Sequence, residues 1–428
     1  MYVRSETDLF TEPGFDVSLL NTNNVEYHPV STLTDKSPIS FNIHGDDVHY
    51  IDMNQMALYL RCKITSKAGA NVPDYATTKI SCVNNLLHSL FQQCTIHLNE
   101  TQITPNTSLY AYRAYMETVL AYGGDYKDSQ GRASLYIKDS DVSSVDDEAF
   151  KARAKIISEG KEFDLIGRPF VDICSQNRYL IPGIDVRVTF HRSPDDFFMH
   201  SETTNPQVHY KCVISEARLV VRKHTVLPMI LNQHLKLWES GYPCCYPMRR
   251  VEMKTYSLPL GTIQNINENL LNGMLPDRLI IALCKSNDMN GKLTTSPFDF
   301  KDFGLKQITV SANGDQIFTQ TYDVDVTNNR IAQVYYNMYD ALGLGASNEG
   351  PDITMEQFIK GKLFFIYNLR QINDGQCLPR FGNVKIEVKF AAALAHTINV
   401  VCHSEYQSLL YIDNKKSVYF KEISADRI

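Results

Sequence analysis

GIDVRVTF (residues 183–190) and NVKIEVKF (residues 383–390) decide the fold. In the first, Ile184, Val186, Val188 and Phe190 share one parity, and Asp185, Arg187 and Thr189 share the other. In the second, Val384, Ile386, Val388 and Phe390 are apolar, and Lys385, Glu387 and Lys389 are polar. Apolar residues at period two mark a strand with one face in a core and one in water. When the two phenylalanines are superposed, the apolar phase matches while the charges on the wet face differ. The buried pattern is what the two segments share.

The neighbours of these strands repeat in the same order. ALYLRCKI (57–64) corresponds to RLIIALC (278–284), and CTIHLNETQI (94–103) to ITVSANGDQI (308–317). Asn313-Gly314 in the latter is a hairpin turn signal. An aromatic helix follows each: SLYAYRAYMETVLAYG (108–123) and IAQVYYNMYDALG (331–343), each closed by a glycine. IGRPFVDIC (166–174) and KGKLFFIYNL (360–369) read as strands, as do KCVISEARLVV (211–221) and INVVCHSEYQSLLYI (398–412). Six elements in one order predict an internal duplication. The expected fold class is all-β: two tandem jelly-roll β-sandwiches with short helices in the loops and linker. The expected divisions are an extended N-terminal arm (1–36), a first jelly roll (37–225), a helical linker (226–245), a second jelly roll (246–413) and a C-terminal tail (414–428).

A formal charge of −6 over 428 residues argues against a protein that coats nucleic acid, which needs a basic face. The basic run Arg249, Arg250 and Lys254 and the pair Lys415-Lys416 are too short for such a groove. Ten cysteines are scattered without a CxxC pair, several inside apolar runs, so free buried thiols are expected. No segment reads as a signal peptide or an apolar membrane span. The expectation is a soluble chain made in the cytosol.

Candidate chemistry is sparse. HRSPDDFF (191–198) places His191, Asp195 and Asp196 at a strand end, but Ser-Pro-Asp-Asp is turn chemistry, and the second copy has AAALAH (391–396) there. FNIHGDDVHYID (41–52) groups His44, Asp46, Asp47, His49 and Asp52 around a glycine, which reads as a solvated turn. GLGASNEG (343–350) lacks the Lys-Ser/Thr of a phosphate loop. No nucleophile or zinc motif is present, so no catalytic, cofactor or metal residue is assigned and no enzyme activity is expected. The candidate functional residues are assembly contacts: Phe10 and Phe15 of the arm, Tyr110, Tyr112 and Tyr115, Trp238 of the linker, and Tyr335 and Tyr336. The long polar segments 124–162 and 285–306 are candidate outer towers or clasps between subunits.

An ordered series of segments carries a resemblance. DLF (8–10), VEYHPVSTLTDKSPISFNIHGDDVHYIDMNQMALYLRCKI (25–64), VNNLLHSLFQQCTIHLNETQI (83–103), YAYRAYMETVLAYG (110–123), FDLIGRPFVDIC (163–174), RYLIPGIDVRVTFHRSPDDFFM (178–199), ARLVVRKHTVLP (217–228) and YPMRRVEMKTYSLPLG (246–261) follow one another. Together they resemble the double jelly-roll major capsid proteins of Polinton (Maverick) elements and adintoviruses. The resemblance implies a homotrimeric, pseudo-hexagonal capsomer that meets neighbouring capsomers in an icosahedral virion shell. It also implies a penton single jelly-roll minor capsid protein, internal minor capsid proteins and a genome-packaging apparatus as partners, without sequence-specific nucleic-acid contact. The rival readings are a bicupin-like metalloenzyme and a carbohydrate-binding β-sandwich protein.

Overall fold

The alternating segments become strands because each can bury one face only by pairing within a sheet and stacking on a second sheet. A computed structural model describes residues 18–34, 36–75, 78–202, 209–312, 318–369 and 380–421. The first half contains β1 (Leu19–Tyr27), β2 (Ile39–Ile43), β3 (His49–Ser66), β4 (Ile80–Cys82), β5 (Phe91–Leu98), β6 (Thr101–Gln102), β7 (Glu162–Gly167), β8 (Val186–Arg192), β9 (Met199–Ser201) and β10 (Tyr210–Val226). The second contains β11 (Cys244–Leu258), β12 (Gln264–Met274), β13 (Arg278–Lys285), β14 (Leu305–Ala312), β15 (Phe318–Asp323), β16 (Phe364–Asn368), β17 (Phe381–Phe390), β18 (Ile398–Ile412) and β19 (Val418–Lys421).

In the first half the sheets run β1-β10-β3-β7 and β2-β8-β5-β6, and in the second β11-β18-β13-β16 and β12-β17-β14-β15. Setting aside the short β4–β9 pair and the added β19, both halves use the same rule. Strands one, eight, three and six of each half form one sheet, and two, seven, four and five form the other. All named strand pairs are antiparallel, and this order is the jelly roll.

Register keeps the apolar parities together. Val186 lies opposite Leu98, Val188 opposite Ile96 and Phe190 opposite Cys94. In the copy, Val384 faces Ala312, Ile386 faces Val310 and Val388 faces Ile308. Every one of these residues is buried. The described cysteines are all free, and Cys244 and Cys245 are the two that are not fully buried.

Several expected boundaries are corrected. The span 1–36 is not wholly an arm, and the first jelly roll does not begin at 37. Residues 19–27 are the outer strand β1, paired with β10 from Leu19↔Val226 to Tyr27↔Leu219. Backbone hydrogen bonding to β10 makes this strand, whereas its side chains are mostly exposed. The segment 166–174 is not a strand: β7 ends at Gly167, just before Pro169, and Asp172–Ser175 is a 3-10 turn. Pro169 carries no N–H to extend the ladder. The linker helix is Pro228–Glu239, with proline in its first turn, and β11 begins at Cys244 rather than 246. Within the expected tail 414–428, β19 pairs with the end of β18.

Candidate assembly surfaces and the seam between the sandwiches

Successive strands of a jelly roll run in opposite directions, so alternate connections emerge at the same end. At one end of the first sandwich lie 67–75 and 78–90, 103–161 and 193–202; at the other lie the short turns 44–48 and 99–100, together with 168–185. The matching connections of the second sandwich, 286–304 and 324–363, are again the long ones. The two aromatic helices, Tyr110–Ala121 and Ala332–Ala341, occupy the same connection of their respective halves.

These long ends meet within one chain. Tyr115 stacks on Phe298 with ring centroids 4.2 Å apart and planes 3° from parallel. Tyr112 meets Phe298 edge-on at 5.5 Å, and Phe300 lies 6.2 Å from Tyr115 and 5.3 Å from Phe364. Segment 285–306 is therefore a clasp between the halves of one chain. Segment 124–162 acts likewise. Buried Asp139 pairs with Arg153 at 2.7 Å, and Lys362 Nζ of the second half donates to the Asp139 carbonyl at 2.8 Å. Lys127 Nζ donates to the carbonyls of Val119 and Pro351. Burial lowers the Lys127 ammonium to about 7 and that of Lys362 to about 8, with neighbouring lysines adding to the effect.

A buried ion network crosses the same seam. Arg113 Nε donates to Glu117 at 2.7 Å, and its Nη2 pairs with Asp172 at 2.7 Å. Asp172 in turn accepts from the Val251 N–H of the second half at 3.2 Å, and His403 of the second half lies 3.6 Å from Glu117. Burial holds Asp172 above the usual carboxylate range. Burial also opposes ionisation of Glu117, yet Arg113 and His403 bring it down to about 2. The signal for this network in the sequence was Arg113 inside an aromatic helix with Glu117 four residues on. Their partners lie far along the chain.

The expected assembly residues fall into three groups. Tyr110, Tyr112 and Tyr115 are buried inside the chain, as is Trp238, whose Nε1 donates to the Ile412 carbonyl at 3.3 Å. Their role is corrected from subunit contact to internal packing, because a side chain already covered by its own chain has no surface to offer a neighbour. Tyr335 is half-buried and donates its hydroxyl to the Ile353 carbonyl at 2.7 Å, whereas Tyr336 is 58% exposed. Phe10 and Phe15 lie outside the described residues. Sequence reading missed other exposed apolar groups: Leu260 and Ile263 in the turn before β12, Ile266 within it, and Met229, Leu237 and Tyr242 around the linker helix. Exposure, not residue type, distinguishes them from core residues.

The two polar clusters are structural. Asp195–Phe198 form one helical turn; Phe197 and Phe198 are buried, Arg192 donates to the Cys212 carbonyl at 2.9 Å, and Asp196 lies 3.3 Å from His209. Asp46 accepts from the backbone N–H groups of Val48 and His49 at 3.1 and 2.6 Å, and Lys223 lies 3.2 Å away. Partial burial opposes its ionisation, but these donors bring it down to about 2. Among the described residues no group of three or more His, Cys, Asp or Glu is placed to hold a metal ion. No described helix is long and apolar enough to cross a membrane.

Solved structures share this architecture across the whole chain. A chain of the Sputnik virophage superposes with a TM-score of 0.62 at 10% identity, covering 99% of this chain and 93% of that one. The fold is a double jelly roll. The Faustovirus major capsid protein matches at TM-score 0.59 and 11% identity, covering 97% and 92% of the two chains. The mavirus major capsid protein matches at 0.53 and 8%, covering 98% and 93%. In sequence, an uncharacterized protein of Caenorhabditis elegans is 23% identical over 390 residues, 88% of this chain and 91% of that protein. No protein-family model matches.

Proposed function

We propose that this double jelly-roll protein is the major capsid protein of a virus or virus-like element. The observation that carries the reading is the likeness over 99% of the chain to a virophage protein, with both sandwiches wound alike. Two like sandwiches per chain give six per trimer, so three chains can fill a position with six neighbours. A shell protein needs large self-complementary surfaces and no reactive group, and the polar clusters here serve turns and the seam. In this reading the chain forms homotrimers that tile an icosahedral virion. Penton and internal minor capsid proteins are its partners, and its shell is built after synthesis in the host cytosol.

The resemblance to Polinton and adintovirus capsid proteins, together with a nematode relative, supports an element carried in animal genomes. The test is native mass measurement with negative-stain microscopy of the expressed chain. Trimers of hexagonal outline, or shells, are expected. A monomer at every concentration would overturn the reading.

A further inference from the structure

Beside the linker helix Pro228–Glu239, where the sandwiches join, lies an apolar cavity of about 480 Å³. Its walls include Leu19, Tyr50 and Val226 of the first half, Ile230 and Trp238 of the helix, and Tyr246 of the second half. It is roughly three times the ~150 Å³ cavity that takes up benzene, which is room for about 12–18 non-hydrogen atoms. Cavities of this size and lining, at a junction between domains, are where proteins hold small molecules.

The polar atoms around the cavity define the kind of molecule that fits. The Tyr50 hydroxyl lies 2.8 Å from His234 Nδ1, Trp238 Nε1 donates to the Ile412 carbonyl at 3.3 Å, and the Tyr246 hydroxyl accepts from the Ile181 N–H at 3.0 Å. The polar atoms of these three wall rings thus already have partners within the chain. No Asp or Glu lines the cavity, and Arg178 is its one permanently charged group. Arg178 is exposed and donates from Nη1 to the Cys245 carbonyl at 2.7 Å, and among the described residues it makes no ion pair. A guanidinium has five donors and no acceptor, so most of its fork is left to meet an anion. One guanidinium balances one carboxylate, whereas a phosphate monoester carries a charge of about −1.5 to −2 at pH 7. An apolar wall with a single cation and no acid is complementary to a long-chain monocarboxylate.

We propose that this cavity binds a fatty-acid-like molecule, its carboxylate on Arg178 and its apolar chain along the wall, so that the ligand ties the linker helix to both sandwiches. This goes beyond the capsid reading and is tested by ligand binding to the expressed full chain, so its failure leaves that reading untouched. The probe is dodecanoate, with dodecanol as its uncharged counterpart and dodecyl phosphate as its doubly charged one. Trp238 lines the cavity and is the only tryptophan of the chain, so its fluorescence reports occupancy, and native mass spectrometry counts the bound molecules. One dodecanoate per chain is expected, with a saturable change at Trp238 and a Kd below about 1 mM. Arg178→Gln should weaken dodecanoate roughly tenfold, as loss of a charge-assisted hydrogen bond implies, and leave dodecanol unchanged. Ile230→Phe, which takes up cavity volume, should weaken both ligands; thermal melts check that each variant is folded. Absence of saturable dodecanoate binding would overturn the proposal, as would equal dodecanoate affinities in wild type and Arg178→Gln. Binding undiminished by Ile230→Phe would place the ligand elsewhere and overturn it too. Dodecyl phosphate bound more than about tenfold tighter than dodecanoate would overturn the assignment of a carboxylate.

Discussion

Replacing Phe298 with alanine should loosen the seam before it unfolds either sandwich. Phe298 is fully buried, and three of its ring contacts, with Tyr112, Tyr115 and Phe197, cross to the first half. Phe→Ala in a core costs about 3–5 kcal/mol when the surroundings cannot collapse. Here Tyr112 and Tyr115 are held on a helix buried along most of its length, so little collapse is available. The stack with Tyr115 should add about 0.5–1.5 kcal/mol beyond area alone. The assay is urea unfolding of the full chain, followed by Trp238 fluorescence, which reports on the linker, and by far-ultraviolet circular dichroism, which reports on the sheets. The two transitions should separate in Phe298→Ala, fluorescence first, because coupling between domains has been lost. A double-mutant cycle with Tyr115→Ala should give a coupling energy of about 0.5–1.5 kcal/mol. Coincident transitions with a loss under about 1 kcal/mol, or a coupling near zero, would refute the argument, since a surface substitution costs no more than that.

The remaining predictions concern charge, the first strand and assembly. Glu117 is lowered from 4.5 to about 2, with burial opposed by Arg113 and His403, so its contribution is complete above about pH 4.5 and is lost as the pH falls toward 2. Glu117→Gln should flatten that stretch of a thermal-stability profile, and an unchanged slope would exclude the network as its source. Lys127, lowered from 10.5 to about 7 by burial, makes the folded chain gain stability as the pH rises from about 7 to 10.5; Lys127→Met should abolish its share of that gain in melts at pH 7 and 9. Deleting residues 1–17 should leave both sandwiches folded, whereas deleting 1–27 removes β1 and should lower the melting temperature, an outcome checked by calorimetry. Tyr336→Lys should leave the melting of the single chain within about 0.5 kcal/mol of wild type while abolishing trimers in native mass spectra.

What the sequence made legible follows from where each strand's stability comes from. β8 and β17 stand out because one face is buried and the other wet, so each core position leaves a mark at period two. β1 leaves almost none: LLNTNNVEY is held by backbone pairing at a sheet edge and buries little, so it reads as an arm. In IGRPFVDIC the apolar Phe170, Val171 and Ile173 are buried, but they belong to a turn, and burial without period does not distinguish the two. The helix Tyr110–Ala121 was legible as a helix but not in its role. Its residues are buried on nearly every side because its own half packs one side, with His88 against Tyr110, and segment 285–306, more than 160 positions later, covers another. Arg113 and Glu117 were not singled out in the sequence, although four residues on one helix place them in reach; Asp172 and His403 become neighbours only through the fold.

The duplication also explains where the chain's surfaces differ. Helices Tyr110–Ala121 and Ala332–Ala341 occupy the same connection of the same topology, yet they are buried to different degrees. The first packs Tyr110 against His88 of its own half and Tyr112 and Tyr115 against Phe298 of the second half; the second leaves Tyr336 in water. In a ring of alternating first and second sandwiches, the contact made inside the chain at the first helix has its pseudo-equivalent between chains at the second. The proposed trimer therefore needs no new kind of interface, only a neighbouring chain to cover the face that the duplication leaves open. The ion pairs and aromatic stack of the seam fix the angle between the two sandwiches of one chain, and a closed ring requires that angle to be held.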